Sequence, residues 1–125
     1  MAVITGTWAA LLALLYLALS VLVIRQRYRS RTAIGLGTAE GLLRASRAHG
    51  NFAEYVPLAL VLMLLLEQGG APAFLLHGLG AALLLGRASH AWGISRSPER
   101  LRFRQLGMLA TFGVLAVAAL ALLLR

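Results

Sequence analysis

A chain of 125 residues that is 60% hydrophobic, with a mean hydropathy of +0.82, carries far more apolar side chain than one small core can hide from water. A soluble globular domain is excluded. The formal charge of +8 comes from twelve arginines set against four glutamates, and the arginines gather at the ends of apolar stretches, which marks membrane boundaries and implies no nucleic-acid partner.

A membrane-spanning helix needs about 20 mostly apolar residues. Residues 3–24 supply 22 without a formal charge, and the first span is placed there. No basic segment precedes it, arginines follow it, and it exceeds the apolar core of a signal peptide, so it is expected to be a retained helix. Arg25, Arg27, Arg29 and Arg31 come next, and Gly35, Gly37 and Thr38 break the chain, with Thr38 the expected N-cap and Glu40 in the first turn of the second span. That span, about residues 40–66, has only 12 uncharged residues in a row, 55–66, so it must carry polar residues into the membrane. Gly69, Gly70 and Pro72 predict a short hairpin over 67–73. The third span, about 72–95, also uses polar neighbours, because residues 69–86 supply only 18 without a formal charge. After Arg96, Ser97 and Pro98 have the chemistry of N-cap and N1 of the last helix, about 99–124, whose residues 105–124 form a run of 20 without charge.

Only helices or closed barrels satisfy every backbone group in lipid, and continuous apolar runs are not the alternating pattern of barrel strands. The fold class is therefore all-α, a four-helix up-down membrane bundle occupying residues 1–125 as one domain. Arginine-rich loops after spans one and three are placed in the cytoplasm, with both termini and the 67–73 loop outward. With no cysteine, disulfides and thiolate metal sites are impossible.

The functional signal lies in span two. Glu40, Arg44, Arg47, Asn51, Glu54 and Tyr55 fall within an arc of about 100 degrees at 3.6 residues per turn, making one polar stripe. From Arg44 to Tyr55 it runs roughly 16 Å along the axis, room for an extended ligand of three residues. The other face, with Leu42, Ala45, Phe52 and Ala53, is apolar or small apart from His49, for which a contact with another helix is expected. Arg44 and Arg47 have a bland alternative, snorkelling to the interface, and Asn51 and Tyr55 have one as hydrogen-bonding glue between helices. Glu54 lies deeper, where an ionised group costs roughly 2.5–3.5 kcal/mol, so it marks a site or a buried pair. At two turns' separation, Arg47 and Glu54 are expected to need a third partner to interact.

In span three, Arg87 and His90 are i and i+3 neighbours at the level of Arg44 and Arg47. Gly86 and Gly93 beside them permit close helix approach. His77 is expected to be structural or interfacial, and three scattered histidines do not make a metal site. One protomer is not expected to hide both the stripe and the Arg87/His90 patch while enclosing a ligand, so a neighbouring copy should contribute. Arginines recognise carboxylates, a carboxylate takes an ammonium, and Asn and Tyr fix amides. A small zwitterionic peptide with excess acid matches that inventory, and a thiol on it would be ionised by a nearby arginine.

The segment Arg44-Ala45-Ser46-Arg47-Ala48-His49-Gly50-Asn51-Phe52-Ala53-Glu54-Tyr55-Val56-Pro57-Leu58 resembles the second-helix motif of the membrane-associated proteins in eicosanoid and glutathione metabolism, the MAPEG family. Chain length, four spans, the basic loops and the Arg87/His90 patch agree, and the resemblance is closest to short bacterial members, which implies a bacterial inner membrane. It implies a homotrimer with glutathione as co-substrate in clefts between subunits, open to the cytoplasm and to lipid, where a hydrophobic small molecule or lipid would be the second partner. Carried over to this chain, Arg47 holds a glutathione carboxylate, Asn51 bonds its backbone, Glu54 takes its α-amino group and Tyr55 completes the site, with Arg44 alongside. Arg87 matches an arginine of the family's helix three, and His90 stands where leukotriene synthase-like members have Tyr. The arginine that stabilises the thiolate matches Arg104 first and Arg100 second. Three functions follow as expectations: a glutathione transferase or peroxidase acting on hydrophobic electrophiles, a non-catalytic lipid- or glutathione-binding scaffold, and a small transporter or channel.

Overall fold

The computed structural model describes Met1–Arg125 and contains four helices, α1 (Val3–Ser30), α2 (Glu40–Gln68), α3 (Ala73–Ser95) and α4 (Leu101–Leu123). Short connections make neighbours antiparallel, as the sequence predicts. By length and composition α1, α2 and α4 suit a membrane crossing. The helix α3 is as long as α4 but is diluted by His77, Arg87 and His90, and it is the one most enclosed by the others.

The helix α1 does not stop at Ile24. It continues through Arg25, Arg27 and Arg29 to Ser30, because arginine is a good helix former and its long stem covers apolar surface while the guanidinium reaches water. It ends with Arg31 in the left-handed region, φ 52°. The Arg27 guanidinium then donates to the carbonyls of Thr32 and Gly35 at 3.3 and 2.8 Å, tying the loop to the helix. Two start signals are corrected. The N-cap of α2 is Ala39, one residue after Thr38, with no side-chain cap. The helix α4 begins at Leu101 after Arg100, and Ser97 and Pro98 lie in the preceding loop, joined by a cis peptide. The reason lies in the backbone: the Arg100 N–H donates to the Gly93 carbonyl at 3.0 Å, so the loop closes onto the end of α3 before α4 starts.

The core joins Leu12 and Leu19 of α1, Phe52, Val56 and Met63 of α2, Leu76 and Leu83 of α3, and Val114 of α4. Many other leucines, among them Leu14, Leu17, Leu85, Leu109 and Leu120, point outward, as expected where lipid is the solvent and apolar residues need not be hidden. The tightest seam is α3 against α4. A Cβ on Gly93 would stand 2.6 Å from the Arg104 nitrogen and 2.7 Å from the Arg100 carbonyl oxygen, and one on Gly107 would stand 2.6 Å from the His90 backbone. These glycines let the two backbones touch. On the other side α1 packs against α2 and α3, and α1 and α4 share no contact.

At the end of the bundle away from the arginine-rich loops, Glu67 accepts hydrogen bonds from the Ile4 and Thr5 N–H groups at 2.8 and 2.7 Å. A side chain of α2 thus caps α1, whose own N-cap, Ala2, supplies none. Beside it the Trp8 indole donates to Nδ1 of His77 at 3.2 Å, giving His77 its structural role. His49 meets Ser20 at 3.1 Å and stacks on Tyr16, the interhelical contact expected of it.

Candidate functional site

The stripe of α2 faces away from α1 and toward α3 and α4. Glu40, Leu43, Arg44 and Arg47 of α2, Ile94 of α3, and Glu99 and Arg104 at the start of α4 line one open cavity of about 290 Å³. The seam through Gly93 and Gly107 holds α4 close enough for Arg104 to reach the stripe. Arg100, the second candidate for the thiolate, serves instead through its backbone at the N-cap of α4 and does not line this cavity.

Each guanidinium of the cavity meets a carboxylate of its own chain. Arg44 pairs with Glu40 at 2.8 Å and donates to the Ile94 carbonyl at 3.1 Å, which ties α2 to the end of α3. Arg104 pairs with Glu99 at 2.6 Å. Arg47 approaches Glu54 at 3.7 Å, and both are about half exposed. The expectation that these two need a third partner is therefore corrected. Two turns separate their Cα atoms by roughly 10 Å, but two long side chains leaning toward each other on one face span that gap.

Asn51 and Tyr55 occupy the deeper half of the stripe. The Asn51 Oδ1 accepts a hydrogen bond from Arg87, leaving its amide N–H groups for another partner. Tyr55 sets its ring edge-on to Phe112 of α4, with centroids 5.5 Å apart. Arg87 and His90 are only 2% and 3% exposed. The patch thus needs no neighbour to hide it, contrary to expectation, because α4 lies over it: Arg87 also reaches the Gly107 carbonyl and the Met108 sulfur, at 3.5 and 3.3 Å. It stands behind Asn51, whereas Arg47, Glu54 and Arg104 remain open. The antiparallel register sets Arg87 level with Asn51, and Arg44 level with Ile94.

Arg104 also lines a second cavity of about 450 Å³ along α4, with Leu101, Gln105, Met108, Leu109 and Phe112. One guanidinium thus borders a charged space and an apolar one. The sequence reading missed Glu99, Ile94 and Met108 here and Glu67 at the far end. For the glutamates a signal existed: with only four carboxylates against twelve arginines, each one is costly in a membrane chain and deserves a partner.

The sequence profile of the MAPEG family matches residues 5–124. The chain is also 40% identical over 118 residues to the inner membrane protein YecN of Escherichia coli K12, covering 94% of this chain and 88% of that protein. The same identity and coverage hold for YecN of Escherichia coli O6:H1. The match spans all four helices, both cavities and the second-helix motif, and on that ground this membrane protein belongs to the MAPEG family.

Proposed function

We propose that the protein binds glutathione at the stripe of α2 and conjugates it through its sulfur to hydrophobic electrophiles or uses it to reduce hydroperoxides, acting in a bacterial inner membrane as a homotrimer. The observation that carries this is the position of Arg104 between the charged cavity and the apolar groove of α4. A thiol held at Arg104 from the charged side would meet an electrophile lying along Leu101, Met108, Leu109 and Phe112, which lipid delivers directly. Arg47 and Arg44 hold the peptide carboxylates, Glu54 takes the ammonium, and the free amide N–H groups of Asn51 donate to a peptide carbonyl. Tyr55 closes the deep end against Phe112, and Arg87 fixes Asn51 from behind. His90, packed against Gly107, supports the seam.

In conjugation the thiol proton passes to solvent, the thiolate attacks carbon to form a C–S bond, and the leaving group departs with its electron pair. With a hydroperoxide, two glutathiones give the alcohol, water and glutathione disulfide. A guanidinium at the sulfur favours the thiolate. The trimer is supported by Arg47 and Glu54, half exposed at a depth of several turns, since lipid is a poor neighbour for them and a second protomer is a better one. The arginine-bearing loops then face the cytoplasm and the Glu67 end faces outward.

The scaffold reading has one contact in its favour, because Glu99 already neutralises Arg104. Thiolate absorbance near 240 nm at saturating glutathione decides between them. Arg104→Ala should abolish the absorbance and most conjugation of a dinitrohalobenzene with only a modest change in affinity, while Arg100→Ala keeps both. A parent protein that binds glutathione without ionising it is a scaffold.

A further inference from the structure

The lining of the charged cavity holds three arginines and two glutamates, and Glu54 beside it supplies a third carboxylate. Arg44, Arg47 and Arg104 face Glu40, Glu54 and Glu99, three cations against three anions from the same chain. The pairs are not equivalent. Glu40 is the i,i+4 partner of Arg44 on one helix, and Arg44 has a second anchor in the Ile94 carbonyl. Glu54 approaches Arg47 at the longest of the three distances and is itself suited to a ligand ammonium. Glu99 differs in sitting outside any helix, in the loop between α3 and α4, while its carboxylate makes the shortest of the three contacts, to the one guanidinium that borders both cavities.

We infer that Glu99 is an internal counter-ion, a carboxylate that occupies Arg104 until an anionic group of a ligand takes its place. Where that ligand is glutathione the inference rests on the function proposed above. The counter-ion itself does not, since any small anion competes with Glu99 for the same guanidinium. A loop residue suits the role: moving Glu99 aside unwinds no helix, whereas the Arg104 backbone is held in the first turn of α4 by its N–H to the Arg100 carbonyl at 3.2 Å, so the backbone of the anion is the freer of the two. Glu99 then acts as a positioning residue that sets how much of the field of Arg104 reaches a bound sulfur. It holds anions of low charge density out, and it keeps three guanidinium groups from repelling one another in the empty site. The groups facing Arg104 are Glu40, Arg44 and Arg47 from α2, with His90 of α3 within electrostatic reach.

The test uses the full-length protein in detergent and two probes, sulfate and glutathione, each titrated by calorimetry, with the bound thiol titrated by its 240 nm absorbance against pH. In Glu99→Gln both probes should bind roughly two- to fivefold tighter, the size expected for removing a competing pair that is partly exposed, and the thiol should ionise at lower pH. In an Arg104→Ala background the same Glu99→Gln change should have no effect on either probe, and Glu67→Gln, at the far end of the bundle, should leave the thiol titration where the parent has it. Unchanged or weaker sulfate binding in Glu99→Gln, or an equal gain without Arg104, overturns the counter-ion. A parent that ignores glutathione while Glu99→Gln still tightens sulfate through Arg104 rejects the glutathione function and keeps the counter-ion.

Discussion

Replacing Gly93 by alanine tests whether the α3–α4 seam places Arg104. The new Cβ would stand 2.6 Å from the Arg104 nitrogen, and ordinary contact begins at 3.4 Å, so α4 must retreat by about 0.8 Å at its first turn. Overpacking of this kind costs about 1–3 kcal/mol. The gain in helix propensity from glycine to alanine, up to about 1 kcal/mol, works the other way. Gly113→Ala isolates that gain, because a Cβ there meets nothing within 4 Å. Thermal unfolding in detergent should therefore rank Gly113→Ala above Gly93→Ala by about 1–3 kcal/mol, the propensity term cancelling. The retreat also carries the Arg104 backbone away from the stripe. Misplacements of about 1 Å cost on the order of a hundredfold in rate, so conjugation and thiolate absorbance should fall at least tenfold in Gly93→Ala and stay unaltered in Gly113→Ala. Equal melting of the two variants with a full thiolate signal in both would refute the view that this close approach sets the position of Arg104.

Other expectations follow from the stripe and from the far end of the bundle. Arg47→Ala and Glu54→Gln should each weaken glutathione about tenfold, the loss of one charge-assisted contact, measured by calorimetry; unaltered binding in both leaves the stripe structural. Detergent-corrected mass should give three protomers, and a monomer removes the intersubunit cleft. Glu67→Ala withdraws the acceptor shared by Ile4 and Thr5, so amide exchange should accelerate at those two residues and not at the start of α2; equal protection in parent and variant means that α1 needs no cap from α2.

The helices, their order and the polar face of α2 were legible because they rest on periodicity and on the cost of burying charge, which are properties of the chain itself. Boundaries were less legible. Charge counting ends α1 at Ile24, yet the helix runs to Ser30, since backbone hydrogen bonding does not stop where the membrane does. Ser97 and Pro98 carry start chemistry but sit in a loop pinned by Gly93, a tertiary bond that no local pattern reveals. In the site, Arg104 was preferred over Arg100 from its place at the head of an apolar run; in the fold Arg104 lines the charged cavity and Arg100 does not. The burial of Arg87 behind Asn51 was hidden, because sequence spacing gives the face of one helix and not which neighbour lies over it. Glu99 escaped for the same reason: its partner is five residues away across a loop-to-helix boundary, a spacing that belongs to no regular element.

The separation of α1 from α4 has a consequence for how the chain can change over generations. Substitutions on α1 are answered by α2 and α3, and those on the outer face of α4 by α3, α2 and whatever lies in the groove. Changes on one of these two outer helices therefore need no answering change on the other. On the function proposed above, a new preference among apolar substrates would arise at Leu101, Met108, Leu109 or Phe112 without a matching change in α1. The same division gives an engineer a place to vary α4 alone, with Arg104 and the stripe left as they stand.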